Sequence, residues 1–492
     1  METIGLDCIK LIFSYSDEKD LIKWLTVSKT INNIINSLST TNDIYSACEN
    51  GRYLSISKLK NNFYNINRAL IYACKSGKID IVKFFIFKGG NKLNECLAEA
   101  CRYGHLELAN YLIKIGAKDL DTALSKAGHS GNLELIKFLI YNGATNFKFA
   151  LSNACYKGHL NIINFLIGTV ENLSLALRNA CKSKNRNIVN FIFEQNKIYD
   201  INYGLYGACY SGDIELVNLI IKKGATDWNY GAVGACRGGK IETLKIMINN
   251  GANEYDKFFN SACKNGSIEI ITFLLRFSPN FNIALFYATK YGKYNIVEYL
   301  IDKYTDDYFY IIVNSAFFGH KDILEFLLKF EITINELNIA LKYACSNGRS
   351  EIAKYLLEIG ANNYENAFYM SCVKGHIELV KLFLDKVNIK VSYACINGNL
   401  KIIELLINYG ADDLNEALIN ACKYGHLDVV KFLIYRGAKN LNKAFKVACK
   451  NDHSEIVNYL FNYVNNINQG LKTAKNAKNY KIIDVIMNNL YK

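Results

Sequence analysis

The chain has 492 residues, half of them hydrophobic, and its 58 Lys and Arg outnumber 45 Asp and Glu to give a formal net charge of +13. No apolar run of about 18 residues and no signal-like N-terminus occurs, so we expect an intracellular protein outside the membrane class. The positive charge fits an anionic partner, or the Lys- and Asn-rich composition of an AT-rich genome, because no Lys/Arg block dominates the sequence.

Residues 1–40 lack the periodicity that follows. A helix-like run ends in Ile12-Phe13-Ser14-Tyr15, an acidic turn follows at Asp17 and Asp20, and a second apolar helix-like run comes next. This order resembles an F-box, a segment that binds the Skp-type adaptor of cullin ubiquitin ligases. Gly5, Glu18 and Ile31 depart from it, since the family usually has Pro, Pro and Trp there.

The resemblance implies that one set of apolar side chains carries the adaptor contact. These residues are Ile9, Ile12, Phe13, Leu21, Leu25 and Val27. The alternative is an N-terminal helical cap for the repeats that follow, because amphipathic helices arise easily by pattern alone.

From residue 41 onward one small residue, nearly always Ala, recurs every 26 to 28 residues, with one interval of 23 before Ala394 (394 − 371). The 17 positions are Ala47, Ala73, Ala100, Ala127, Ala154, Ala180, Ala208, Ala235, Ala262, Ala288, Ala316, Ala344, Ser371, Ala394, Ala421, Ala448 and Ala474. Such a fixed period indicates an all-α solenoid of about 17 short repeats rather than several globular domains.

Each repeat contains two short helices, as residues 415–438 illustrate. We expect Asn415 to accept a hydrogen bond from a free N–H at the start of the first helix. Gly425 suits the left-handed turn that ends this helix, and an apolar stripe of helical period then runs from Leu427 to about Arg436. Helices of about ten residues are marginal alone, so each repeat needs its neighbours.

The pattern resembles the ankyrin repeat in its Ala-Cys pair, its Gly-His step (Gly425-His426) and its Gly-Ala end (Gly437-Ala438). The family period is about 33 residues and its first helix starts with Thr-Pro-Leu-His. Here the period is near 27 and the chain has one Pro. The missing residues fall where the family builds its β-hairpin fingers, so we expect reduced fingers and almost no strand.

We assign repeats 1–13 to residues 41–390 and repeats 14–17, with a C-terminal cap, to residues 391–492. The Gly-Ala step is missing before Ala394. We therefore expect Asp385–Lys390 to kink the stack or divide it.

The 15 cysteines could indicate disulfides or zinc, but their position favours a buried apolar role. Thirteen follow the repeated small residue directly: Cys48, Cys74, Cys101, Cys155, Cys181, Cys209, Cys236, Cys263, Cys345, Cys372, Cys395, Cys422 and Cys449. One Cys per repeat does not supply four tetrahedral ligands, and free Cys behaves as a small hydrophobe. We expect no metal and no cofactor.

The sequence also gives no candidate catalytic residues. Five of the seven His follow Gly at the same repeat position, where we expect a bond across the turn between the two helices. No phosphate loop, serine-hydrolase elbow or zinc-protease motif occurs, so we expect no enzyme.

A possible partner-binding stripe follows the Ala-Cys pair, where the next residue is often basic and sometimes has Tyr beside it. The stripe comprises Lys75, Arg102, Tyr103, Lys182, Arg237, Lys264, Lys290, Tyr291, Lys423, Tyr424 and Lys450. Basic residues interleaved with aromatics can grip an acidic peptide or single-stranded nucleic acid. The alternative is a cation that complements the C-terminal end of each first helix.

These features together favour a protein–protein interaction scaffold that presents a concave face to its partner. We expect a monomer that recruits a substrate to a cullin-type ubiquitin ligase if residues 1–40 bind the adaptor. Binding of nucleic acid through the stripe is the alternative. The combination resembles the ankyrin proteins of giant DNA viruses that infect amoebae, which implies the host cytoplasm, or nucleus, as location.

Overall fold

A computed structural model describes residues 66–278, 280–304 and 308–491, and all regular structure in these ranges is helical. The 32 α-helices alternate between the first and second helix of each repeat. No helix within these ranges is long and apolar enough to cross a membrane. The described residues divide into two compact units, the first ending at Ser261 and the second beginning at Ala262.

The helices of the first unit, in chain order, are α1 (Ile66–Ser76), α2 (Ile79–Phe87), α3 (Leu93–Arg102), α4 (Leu106–Lys114), α5 (Leu120–Ala127), α6 (Leu133–Tyr141), α7 (Phe147–Lys157), α8 (Leu160–Leu166), α9 (Ser174–Lys182), α10 (Arg186–Glu194), α11 (Asn202–Ser211), α12 (Ile214–Lys222), α13 (Trp228–Gly238) and α14 (Ile241–Asn249). Helix α15 (Tyr255–Asn265) contains the division. A 3₁₀ turn, Ile167–Thr169, follows α8.

The helices of the second unit are α16 (Ile268–Leu274), α17 (Phe281–Lys290), α18 (Tyr294–Tyr304), α19 (Phe309–Phe318), α20 (Lys321–Leu327), α21 (Ile334–Ser346), α22 (Ser350–Glu358), α23 (Tyr364–Lys374), α24 (Ile377–Phe383), α25 (Val391–Ala394), α26 (Leu400–Asn408), α27 (Leu414–Tyr424), α28 (Leu427–Tyr435), α29 (Leu441–Lys450), α30 (Ser454–Leu460), α31 (Ile467–Asn476) and α32 (Tyr480–Leu490). A 3₁₀ turn, Phe461–Tyr463, follows α30.

The core of each unit is built from the small residues of the first helices and the apolar stripe of the second. In α27 both Ala421 and Cys422 are fully buried, and Val430 and Leu433 of α28 are equally inaccessible. Full burial of a leucine stabilises the fold by about 1.5–3 kcal/mol relative to exposure. Every cysteine in the described ranges is buried, which confirms the predicted apolar role.

The connections between repeats are short where an ankyrin finger would stand. Residues 115–119 join α4 to α5, and Ala117 N–H donates back to the Leu112 carbonyl at 3.0 Å. This bond closes the end of α4 in a tight turn rather than starting a hairpin. The predicted replacement of fingers by tight loops agrees with this geometry.

The prediction that Asn415 starts its own helix is wrong. Its Oδ1 accepts hydrogen bonds from the backbone N–H of Lys439 (2.7 Å) and Asn440 (3.0 Å), just before the first helix of the next repeat. Asp413 is the N-cap residue of α27, and its side chain makes no cap hydrogen bond to this helix. The side chain therefore joins two repeats, because the start of the neighbouring helix lies within its reach.

The same forward bond recurs along both units. Its acceptors are Asn67, Asn94, Asp121, Asn202, Asn229, Asn338 and Asn442. At Asp121 the bond from the Thr145 N–H lowers the pKa of the carboxyl group, so a carboxylate fits this position as an acceptor.

The histidines also bond between repeats rather than across the turn of their own repeat. Nε2 of His426 donates to the Ile396 carbonyl at 3.1 Å, and Nε2 of His453 donates to the Lys423 carbonyl at 3.0 Å. His105, His159, His320 and His376 make equivalent bonds to carbonyls 30 residues earlier. Each bond satisfies an orphan carbonyl at the end of the preceding first helix.

A glycine makes room for each of these imidazole rings. Gly425 adopts φ +86°, and a Cβ there would lie 2.7 Å from Cε1 of His453. Gly437 adopts a similar φ of +99° but has no atom within 4 Å of its Cβ position. Both positions therefore need a residue that tolerates a positive φ, but only Gly425 must also leave space for a neighbouring side chain.

The segment 385–390 lies inside the second unit, and the helix after it is shortened to Val391–Ala394. Both carboxylate oxygens of Asp413 accept bonds there, from the N–H of Val391 (2.7 Å) and of Ser392 (3.0 Å). The next repeat therefore supports the start of this short helix. The expected kink or division of the stack at this segment stays a prediction.

Replacing Gly425 with Ala should destabilise the local fold more than replacing Gly437. Both substitutions carry the left-handed penalty of about 1–2 kcal/mol, and Gly425→Ala adds the clash with His453. Hydrogen exchange of amides in residues 414–460 measures the difference. The double variant Gly425→Ala/His453→Ala should lose the clash but also the imidazole bond; equal exchange in the two single variants would contradict the steric role.

Asn415→Ala should weaken the joint between its repeat and the next by about 1 kcal/mol, since two exposed hydrogen bonds are lost. Asn415→Asp should retain most of the stability, because Asp121 makes the same pair of bonds in another repeat. Urea unfolding checks both variants against Glu416→Ala, an exposed neighbour. If Asn415→Ala and Glu416→Ala have the same effect, the joint does not depend on this side chain.

Candidate partner-binding surface

The stripe residues lie in the last turn of the first helices or directly after it, as their position behind the Ala-Cys pair requires. Lys75, Arg102, Lys182, Arg237, Lys264, Lys290, Lys423 and Lys450 are the basic residues of these turns. All are exposed or half-buried. A cation in this position also complements the helix dipole. Location alone therefore does not separate a partner-binding role from a role in stabilising the helix.

The backbone and side chain of a stripe residue have different partners. The carbonyls of Lys75, Lys290 and Lys423 accept the inter-repeat bonds from histidine Nε2 at 2.8–3.2 Å. Their ammonium groups instead lie against tyrosine rings. The Lys75 Nζ is 4.0 Å from the centroid of the Tyr72 ring, and the Lys423 Nζ is 5.2 Å from that of Tyr424.

Several predicted stripe residues come together and others do not. In the second unit the centroid of the Tyr291 ring lies 5.9 Å from the Lys264 Nζ and 5.7 Å from the Lys290 Nζ. In the first unit Arg102 pairs with Glu99 at 3.9 Å, while its neighbour Tyr103 is 46% exposed. Lys450 is exposed at the end of α29. The stripe is therefore not uniform along the chain.

The densest part of the surface contains residues that the sequence interpretation missed. The Arg178 guanidinium carbon lies 4.1 Å from the centroid of the Tyr206 ring. The Lys182 Nζ is 4.2 Å from the Tyr210 ring and 5.5 Å from the Tyr206 ring. We call the group the cation–tyrosine cluster; its members are Arg178, Lys182, Tyr206, Tyr210, Tyr230 and Arg237.

The spacing of these residues offered a signal. Arg178 and Lys182 stand four residues apart on α9, and Tyr206 and Tyr210 have the same spacing on α11. Residues four apart share a helix face. Because 206 − 178 and 210 − 182 both equal 28, close to the repeat period, the two pairs occupy matching positions. An alignment of whole repeats, rather than of the Ala-Cys position alone, therefore shows that the Arg178/Lys182 and Tyr206/Tyr210 pairs are equivalent.

Lys182 has an unusual electrostatic environment. Burial, followed by the nearby positive charges of Arg178 and Arg237, lowers its pKa from 10.5 to about 8. Within the described ranges no carboxylate lies within 4 Å of the Arg178 or Lys182 side chain. Three cations therefore share one surface where an anion would be favourable.

Several cations of the second helices have acidic partners instead. Lys137 pairs with Glu134 at 2.8 Å, and Lys245 pairs with Glu242 at 2.7 Å. Arg186 bridges to Asp213 (3.1 Å) and Glu215 (2.6 Å) of the next repeat. These second-helix cations are thus balanced within the chain, whereas Arg178 and Lys182 have no ion-pair partner among the described residues.

The remaining predicted residues are not placed. Ile9, Ile12, Phe13, Leu21, Leu25 and Val27 lie outside the described residues, so the F-box-like contact stays a prediction. In the ranges that are described, no group of three or more His, Cys, Asp or Glu side chains has the arrangement of a metal site.

Comparison with known protein families identifies the repeat. The family described as ankyrin repeats (3 copies) matches residues 11–122, 70–148, 124–204, 232–308, 285–367, 309–393, 343–417 and 391–473. The chain belongs to the ankyrin-repeat family, whose repeats suggest a scaffold for protein–protein interaction. The first match begins inside the F-box-like segment, so the same residues also fit the alternative of a helical end to the repeats.

Comparison with solved structures gives repeat proteins of low similarity. The pentatricopeptide repeat protein PPR10 from maize has 12% identity and a TM-score of 0.29, with 92% of this chain and 78% of that chain covered. A circular tandem repeat protein with novel repeat topology has 16% identity and a TM-score of 0.11, with 88% and 94% covered. None of the curated proteins compared with the chain matches it.

The lowered pKa of Lys182 predicts early deprotonation. Its amine should react with acetic anhydride with a midpoint near pH 8 rather than 10.5, because the free base is the reactive form. Competitive labelling followed by peptide mass spectrometry measures this midpoint. Arg178→Gln should move the midpoint upward by removing one of the two like charges. A labelling midpoint above pH 10 in the unchanged chain would contradict the lowering of the Lys182 pKa by burial and by the two neighbouring cations.

Proposed function

We propose that this ankyrin-repeat chain is a scaffold that binds a protein partner along the C-terminal ends of its first helices. The observation that carries the proposal is the contrast in ion pairing between α9 and α10. Arg178 and Lys182 of α9 have no carboxylate within ion-pair distance in the described ranges, whereas Arg186 of α10 binds two. Cations left unpaired within a chain are available to a partner, and such charges set both specificity and association rate.

A direct test compares variants of the two helices in binding to a partner isolated with the full chain. Replacing Lys182 by Gln should weaken binding, while replacing Lys137, which is paired with Glu134, should leave it unchanged. Binding measured by biolayer interferometry at two salt concentrations should weaken with salt for the unchanged chain, since exposed charges are screened. Equal losses in both variants would place the partner elsewhere.

We further propose that residues 1–40 dock the bound partner on a Skp-type adaptor, which would make the chain a substrate-recruiting subunit of a cullin-type ubiquitin ligase. The support is the order of apolar and acidic residues in this segment and its resemblance to an F-box. A helical end to the repeats is the alternative, and it requires no adaptor.

Purified adaptor separates these two interpretations. The full chain should bind a Skp-type adaptor at micromolar concentration, and Phe13→Ala should reduce the affinity at least tenfold by removing a central apolar contact. Phe149→Ala is the matched control, because Phe149 is 47% exposed on a repeat helix and lies outside the segment. Absence of binding by the unchanged chain at micromolar concentration would remove the ligase role and leave the scaffold role intact.

A further inference from the structure

The three helices beneath the cation–tyrosine cluster pack unusually closely, and glycines make this possible. A Cβ on Gly207 of α11 would lie 2.1 Å from the Arg178 carbonyl oxygen of α9. On α13, a Cβ on Gly234 would lie 2.4 Å from the Tyr206 carbonyl oxygen, and one on Gly238 would lie 2.1 Å from that of Tyr210. Any larger residue at these positions would push the helices apart.

These glycines carry a cost in helix stability. A glycine inside a helix is less favourable than alanine by about 1 kcal/mol. Gly207 and Gly234 occupy the position just before the repeated Ala, where Asn153, Asn179 and Asn420 stand in other repeats. Glycine at this position therefore distinguishes α11 and α13 from the first helices that carry Asn there. Its consequence is that like charges from successive repeats are brought together.

The rings of the cluster hold the cations rather than presenting free faces. Tyr206 is only 2% exposed; the Arg178 guanidinium lies over its ring, and the Tyr230 ring centroid is 4.8 Å away. Tyr210 stacks on Tyr206 with centroids 6.4 Å apart and carries the Lys182 ammonium. Base stacking on nucleic acid requires an open aromatic face, so this arrangement favours an anionic polypeptide over a single-stranded nucleic acid.

One donor in the cluster is also unused. The Nε atom of Arg178 is buried and has no hydrogen-bond partner among the residues that the structure describes. Buried polar groups are nearly always satisfied, so each exception needs an explanation. The Asp200 carboxylate acts on another residue of the cluster. It raises the pKa of Tyr230 as a minor contribution after burial, and it is not among the charges that act on Lys182.

We propose that the cation–tyrosine cluster is the docking site for an acidic, extended segment of the protein partner, with Arg178, Lys182 and Arg237 as its carboxylate-binding groups. This inference rests on the proposed scaffold function and names the chemistry of the partner. Guanidinium groups bind carboxylates in a planar, two-pronged geometry. The tyrosine rings position the cations, so part of the ordering cost of binding is met before the partner arrives.

The size of the site agrees with a short extended peptide. Helices pack about 8–10 Å apart, so a path across α9, α11 and α13 spans roughly 20 Å. An extended chain covers about 3.3 Å per residue, so six or seven residues cross the cluster. A fluorescent peptide of about 12 residues with alternating Glu and Ser is therefore a sufficient probe.

The test measures binding of this peptide to the full chain by fluorescence anisotropy. The triple variant Arg178→Gln/Lys182→Gln/Arg237→Gln should weaken binding at least tenfold. The control Lys114→Gln/Lys118→Gln/Lys222→Gln removes the same charge from exposed positions away from the cluster and should change binding less than threefold. A Gln/Ser peptide of equal length should not bind. Circular dichroism and thermal melting verify that both triple variants fold, and Lys182→Gln alone should weaken binding threefold or more.

Several outcomes would overturn the inference. Equal weakening by the two triple variants would show attraction to net charge only, and unchanged binding in the cluster variant would place the acidic segment elsewhere. Binding of a single-stranded oligonucleotide in preference to the acidic peptide, lost in the cluster variant, would assign the site to nucleic acid. Failure of the peptide to bind the unchanged chain removes the acidic segment as occupant, whereas the scaffold role fails only if no isolated protein partner depends on Lys182.

Discussion

The structure depends on the inability of its helices to stand alone. Second helices such as α8, with seven residues, are too short to be stable in water without tertiary contacts. Each repeat must therefore bury its apolar surface against the next. Ala421 and Cys422 are fully buried where this contact forms, and their small size lets the helices approach. Larger residues at these positions would separate the repeats that stabilise one another.

Specific hydrogen bonds then fix how successive repeats meet. Asn415 reaches the backbone before the next first helix, and His453 reaches the Lys423 carbonyl at the end of the preceding one. One joint lies at each end of the first helix, so both ends are tied to a neighbour. The left-handed glycine beside each imidazole serves two purposes: it ends the helix, and it leaves space for the ring. Backbone N–H and carbonyl groups that would otherwise lack a hydrogen-bond partner thus join successive repeats.

This arrangement leaves the side chains at the ends of the first helices for other contacts. The carbonyl of Lys423 is used within the fold, while its ammonium group lies by the exposed Tyr424. Around Arg178 and Lys182 the same geometry, tightened by Gly207, concentrates positive charge that no carboxylate of the described residues neutralises at close range. The net charge of +13 describes the whole chain, so it favours an anionic partner only where the repeats bring cations together.

The repeat, the helix pairs, the short connections and the burial of the cysteines follow from the sequence, because a fixed period and helical spacing of apolar residues need no knowledge of distant contacts. The three-dimensional packing was needed to find the partners of Asn415 and His426, which lie 24 to 30 residues away, and the contact of Arg178 with Tyr206. The physical reason is that a period shows which residues occupy equivalent positions in successive repeats. The atoms that touch depend on the separation and rotation of adjacent helices, and side-chain volumes throughout the interface set both.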